Sequence, residues 1–183
     1  MRENLNNSKK GKKNTNEKLV FAILAALFAA IITALTAYFH IPAGHGYIHV
    51  GDSFIFLAAC MLPTPYAVAA SAIGGGLADI LAGAPIWAPA TIVIKSLLVF
   101  SFTSKSKKII NIRNICAIIV AMVITCAGYC VYDGLVFGQW PVAIAGIPDS
   151  IIQVGASGAI FIVLAIAIDA SKLKTKLLKN FVK

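Results

Sequence analysis

The residues of this chain that could do chemistry are the few polar and ionisable ones inside long apolar runs. Lys95 and Thr91 stand four apart in one such run. Thr125, Tyr129, Tyr132 and Asp133 share a helical face in another, and Asp149, Gln153 and Ser157 recur at i, i+4 and i+8 in a third. Asp79 closes one apolar run, and Asp52 and Ser53 open another. Burying such charges in a membrane costs several kcal/mol unless they are paired or hydrated, so each is a functional candidate. Lys95 could anchor a carboxylate, a phosphate or a ring acceptor. Asp133, Asp149, Gln153 and Tyr129 could receive donors, and Trp87 or Trp140 could stack on a ring. The bland alternatives are specific too. Lys95 and Asp79 could pair and lock two helices, Asp52, Asp133 and Asp149 could be solvated helix ends, and the outer aromatics could form an interfacial belt.

These residues need helices to position them. The chain has 183 residues, 59% hydrophobic and only 13% charged, and its mean hydropathy is +0.86. A soluble domain of this length carries a more charged surface. The apolar runs are long and unbroken, unlike the alternation of a membrane barrel, and about twenty apolar residues make one helical span. Spans are expected near Leu19–Phe39, Val50–Leu62, Tyr66–Ala82, Ala88–Phe102, Ile115–Phe137 and Ile147–Ile168. The expectation is an all-α integral membrane protein of about six transmembrane helices. Residues 1–18 form a basic, disordered tail, residues 19–170 the membrane domain, and residues 171–183 a second basic tail. The first apolar run is too long for a signal peptide.

The formal net charge of +9 sits in the tails and in one loop. Arg2, Lys9, Lys10, Lys12, Lys13 and Lys18 precede the first span. Lys105, Lys107, Lys108 and Arg113 follow the fourth, and Lys172, Lys174, Lys176, Lys179 and Lys183 end the chain. With six spans, all three groups fall on one side, which the positive-inside rule makes the cytoplasm. Both termini are then cytoplasmic. This distribution serves topology and does not form a nucleic-acid surface.

Given that orientation, the polar stripes converge in the outer half, above a nearly dry inner half at Ile115–Ile124 and Ala159–Ile168. The pattern reads as a cup open to the outside and disfavours a continuous channel. Acidic residues outnumber Lys95 in the cup, which points to a ligand rich in donors or positively charged, such as a nitrogen heterocycle. His40, His45 and His49 cluster in the first outer segment, and a flexible hydrated loop explains them better than a metal site. Cys60, Cys116, Cys126 and Cys130 lie in apolar runs without a CxxC and read as small buried hydrophobes. Gly74-Gly-Gly76 reads as close helix packing. No phosphate loop, zinc-protease motif or nucleophile elbow is present. The chain is therefore expected to be neither an ATPase nor an enzyme, and to need no cofactor. A stand-alone carrier is the second reading, but it should show polar residues through the full thickness and inverted repeats.

The first span also repeats Ala22, Ala26 and Ala30, a small-residue face that suits close helix approach, within this chain or against another subunit. Together with Tyr47-Ile-His-Val-Gly-Asp52, Gly74-Gly-Gly-Leu-Ala-Asp79 and Pro85-Ile-Trp-Ala-Pro-Ala-Thr-Ile-Val-Ile-Lys95, it resembles the substrate-binding S components of energy-coupling factor (ECF) transporters, bacterial vitamin importers. The resemblance covers residues 19 to 170. It implies a six-helix protein of the bacterial cytoplasmic membrane that binds a water-soluble vitamin or related micronutrient in an outward pocket. It places Lys95, Asp79, Thr91, Trp87, Tyr129, Asp133, Asp149, Gln153, His49 and Asp52 in the region of that pocket, with the first outer loop closing over the ligand. It also implies docking of Ala22, Ala26 and Ala30 on a transmembrane coupling subunit, and two cytoplasmic ATPases to complete the importer.

Overall fold

The computed structural model describes the backbone of residues 2–43 and 46–181, and side chains over 16–42 and 48–177. Its elements are α1 (Arg2–Ala37), a hairpin of β1 (His40–Ala43) and β2 (Gly46–His49), α2 (Asp52–Met61), α3 (Thr64–Leu81), a single 3-10 turn (Pro85–Trp87), α4 (Ala88–Ser101), α5 (Ile112–Phe137), α6 (Trp140–Ala145), α7 (Ile147–Ser171) and α8 (Leu173–Phe181). The protein is an all-α membrane protein. Three helical stretches, Asn16–Ala37, Ile112–Phe137 and Trp140–Ser171, are long and apolar enough to cross a bilayer, and Asp52–Met61 and Pro85–Ser101 are shorter apolar helices.

The expected spans correspond to α1 to α5 and α7, with three differences. The helix of α1 begins at Arg2, where a disordered tail to residue 18 was expected. A helix already nucleated in the apolar run extends outward at one hydrogen bond per residue. The first outer segment is an antiparallel hairpin with His40 opposite His49 and Ile41 opposite Ile48, where a flexible loop was expected. Pairing satisfies backbone groups that would otherwise face a largely apolar surface. His45 lies outside the described residues. Finally, the loop after α5 holds the short helix α6, which Gly138 admits by ending α5 in the left-handed region at φ 66°.

Helix α2 organises the packing. Its ten residues rise only about 15 Å, and α1, α3, α4 and α7 all pack on it. From Ile55 to Cys60 every side chain is buried. Below the polar residues, Phe56 stacks on Phe102 at 4.7 Å between ring centroids, and Phe161 meets both edge-on at 5.9 and 5.7 Å. Such aromatic pairs add to the stability that their burial already gives.

Helix α3 owes its position to three glycines. A Cβ on Gly74 would lie 2.9 Å from the Ala29 carbonyl oxygen of α1. One on Gly75 would lie 2.9 Å from Thr91 Cγ2 and 3.2 Å from Lys95 Cγ of α4, and one on Gly76 2.8 Å from Ile92 Cγ1. Thr33 fixes the α1 contact by donating to the carbonyls of Ala29 and Gly74 at 2.9 and 3.0 Å. The glycine run is thus a close-packing device, as its composition suggests. Gly75→Ala should lower stability in detergent by about 1–3 kcal/mol, the usual cost of overpacking. Gly155→Ala, where nothing lies within 4 Å of the added carbon, should be close to neutral. Chemical unfolding in mixed micelles would read both, and equal effects would show that the seam is slack.

Candidate functional site

A buried ion pair lies where α2, α4, α5 and α7 meet. Lys95 Nζ stands 2.8 Å from Asp52 Oδ1 and donates to Oδ2 at 2.9 Å. The pair is sealed from solvent, with 1% of Lys95 and none of Asp52 exposed. Gln153 of α7 donates its amide to Asp52 Oδ2 at 3.1 Å. The Tyr129 ring of α5 lies 5.5 Å from the Lys95 ammonium, within reach of a cation–π contact. The Tyr129 hydroxyl shares a 2.9 Å hydrogen bond with Thr91. Asp52 sits in the first turn of α2, where the helix dipole favours a negative charge. Gly75 explains how Lys95 fits: its missing side chain leaves room for the lysine stem.

Of the expected site residues, Lys95, Asp52, Gln153, Tyr129 and Thr91 therefore come together. The ion-pair partner of Lys95 at 2.8 Å is Asp52. Buried Asp79 stands within electrostatic range of both Lys95 and Tyr129. Asp52 is no solvated helix end, because α2 is sunk among its neighbours. Ser157 donates to the His49 carbonyl at 3.4 Å, so α7 touches the hairpin one turn below Gln153. Asp149 sits half-buried one turn above Gln153 and joins none of these bonds.

His49 ends β2 directly above this cluster and is buried. Its Nδ1 accepts from the Gly51 amide at 3.2 Å and lies 3.5 Å from the Thr36 hydroxyl. Burial pulls its pKa from 6.5 down to about 4, with Asp52 opposing and Lys95 assisting, so the imidazole is neutral at pH 7. His40 bonds the Thr36 carbonyl at 3.2 Å through its own Nδ1. Both histidines thus tie the hairpin to the top of α1, a role that their clustering alone did not reveal. Among the described residues, no group of His, Cys, Asp and Glu side chains could hold a metal ion.

Trp87 and Asp133 meet at the rim. The indole donates to Asp133 Oδ1 at 2.8 Å, Tyr132 donates to the Ile86 carbonyl, and Trp87 packs near Phe137 at 5.6 Å. These contacts strap the turn before α4 to the end of α5. Trp140 lies against Gly134, whose added Cβ would overlap its ring at 2.5 Å. In α1, Ala25 and Ala29 are buried whereas Ala22, Ala26 and Ala30 are exposed. The second alanine stripe is therefore left uncovered by the described residues.

Residues 13–170 match the family described as ECF-type riboflavin transporter, S component. The chain belongs to that family. The fold of this S component agrees with a solved structure, "Structure and mechanism of the S component of a bacterial ECF transporter", at a TM-score of 0.66. The superposition covers 91% of this chain and 99% of the other at 18% identity, so that likeness speaks for the fold. Among curated proteins, the S component is 37% identical over 67 residues to an "Uncharacterized protein in gap 3'region" from Pyrococcus woesei. That stretch is 37% of this chain and 45% of the relative, so the chain spans less than half of the relative's length.

Breaking a buried ion pair by removing one partner costs about 3–5 kcal/mol, whereas replacing both partners with apolar groups is often neutral. Lys95→Met should therefore destabilise the S component by that amount. Adding Asp52→Leu to it should restore most of the loss. A double-mutant cycle in detergent measures the coupling, and additive losses would mean that the two charges do not depend on each other.

Proposed function

We propose that this chain captures a small water-soluble vitamin from outside the cell and delivers it through an ECF-type importer. In this reading six helices cross the membrane with both termini in the cytoplasm. The chain binds its cargo and performs no chemistry on it. The observation that carries the proposal is the sealed Asp52–Lys95 pair, with Gln153, Tyr129 and Thr91 gathered around it from separate helices. An apolar membrane protein that needed only stability would be served as well by an apolar cluster.

The ligand meets these groups under the hairpin, with Asp79 beside Lys95, His49 above, and Asp149, Trp87 and Asp133 towards the rim. Asp52 neutralises Lys95, so the centre of the site is not a bare cation waiting for a carboxylate or phosphate. Its remaining valences are a mixture of donors and acceptors, which suits an uncharged heterocycle carrying both. The family name points to riboflavin, whose flat ring has such an edge, and riboflavin is the first ligand we assign. A polar group matched to each ring substituent would reject analogues lacking it.

The exposed face of Ala22, Ala26 and Ala30 supports docking on a transmembrane coupling subunit, because small residues let helices approach closely where hydrophobicity offers no drive. Two ATPases on the cytoplasmic side would supply the energy that this chain cannot.

A ligand that binds only the folded state raises its stability by about 2.7 kcal/mol at one hundred times its Kd. The purified S component should therefore melt at a higher temperature with riboflavin than with thiamine, pyridoxine or biotin, and Gln153→Leu should abolish the difference. A rise with another vitamin would keep the function and change the ligand. No rise with any of them would count against capture of a vitamin.

A further inference from the structure

The α4–α5 connection and the first turn of α5 hold four of the chain's cations and are built unlike a mere topological signal. Three side chains from separate helices pin the backbone of the connection. Asn114 of α5 accepts from the Thr103 amide at 2.9 Å and donates to the carbonyls of Thr103 and Ile109 at 3.3 and 2.9 Å. Asp169 of α7 takes the amides of Ile109 and Ile110, each at 2.9 Å and each with its own carboxylate oxygen. Lys174 of α8 donates to the carbonyls of Ser104 and Ser106 at 2.9 and 2.7 Å. Lys174 is itself only 3% exposed, and burial draws its pKa below the ordinary value.

This pinning sorts the charges. The carbonyls of Ser104 and Ser106 turn inward to Lys174, while Lys105, Lys107 and Lys108 stand exposed. Arg113, Lys172 and Lys176 are exposed on the adjoining helix ends. Asp169, the acidic residue at this end of α7, is already committed to the loop amides. Among the cations stands Ile112, 84% exposed, the most exposed large apolar side chain in the described protein, and Leu173 is exposed beside Lys172 and Lys176.

We propose that the pinned 103–113 segment and the start of α8 form a binding surface for anionic phospholipid of the inner leaflet. Phosphate headgroups meet Lys105, Lys107, Lys108 and Arg113, and the acyl boundary receives Ile112 and Leu173. A lipid satisfies both chemistries at once, because basic residues gather anionic lipid at a membrane surface while apolar side chains enter beneath the headgroups. An acidic soluble partner would match the lysines alone. A signal for topology needs only the charges and gives no reason to pin their backbone with three side chains, two of them buried.

The test uses the full-length protein in mixed micelles, without vitamin, so it is independent of the ligand assignment. Thermal midpoints are compared with phosphatidylglycerol and with phosphatidylcholine at matched amounts. The expected result is a higher midpoint in phosphatidylglycerol that molar salt erases. The triple variant K105Q/K107Q/K108Q should lose more than half of that rise, while K10Q/K12Q/K13Q, which removes the same charge from the amino-terminal tail, should keep it. K174M, which frees the loop but retains the outward lysines, should also lose most of it. Equal losses in the loop and tail triples would overturn the proposal in favour of diffuse charge. So would the absence of any phosphatidylglycerol effect. A rise produced by polyglutamate but not by the lipid would overturn it in favour of an acidic protein partner.

Discussion

The contact between Lys95 and Asp52 constrains everything around it. Two opposite charges sealed within an apolar protein persist only if their geometry is good and their remaining hydrogen-bonding capacity is met. Here the geometry is good and Asp52 Oδ2 takes two hydrogen bonds, while Oδ1 rests on the Lys95 charge alone, and the arrangement takes five helices. Asp52 must be at the start of α2, where the dipole helps it, and α2 must be short enough to end in the middle of the protein. Lys95 must approach through α4, which is possible because Gly75 of α3 leaves room for its stem. Gln153 and Tyr129 must arrive from α7 and α5. The glycine seam, the buried short helix and the polar cluster are one arrangement.

That arrangement also separates the protein into ends of different character. At one end, the three phenylalanines and the pinned α4–α5 connection form a tightly bonded base. At the opposite end, several contacts of the hairpin are long. They include the 3.4 Å bond from Ser157 to His49 and the 3.5 Å approach of Thr36 to the same ring. Local opening favours regions with few buried contacts. In the proposed importer, opening at these longer bonds would let a ligand reach the Asp52–Lys95 pair while the base stays folded.

Much of this was legible in the one-dimensional pattern. Hydropathy and the cation distribution located α2 to α5 and α7 within a few residues, because apolar length and loop charge are local properties. The i, i+4 spacings of Thr91 with Lys95 and of Gln153 with Ser157 placed the right residues on the inward faces. The pairings were not legible. Lys95 reaches Asp52, and Trp87 meets Asp133, because partners across helices depend on helix depth and rotation, which a sequence does not carry. The depth of α2 was the decisive unknown: an Asp at a span's start reads as a solvated helix end until its neighbours are seen to bury it. The hairpin was missed for a related reason. Its strands are four residues long and lack the alternation that betrays a larger sheet.

The two alanine rows of α1 show how one helix can serve two requirements. Ala25 and Ala29 face the glycine seam of α3, where only a small residue permits the approach. Ala22, Ala26 and Ala30 lie outside it, where this chain offers them nothing to pack against. Alanine suits any exposed helical position by propensity, but it buries little apolar surface by itself and leaves room for a neighbour to come close. That room has value only when another helix comes close. The inner row therefore accounts for part of the fold of the S component, and the outer row stays available to the docking proposed above.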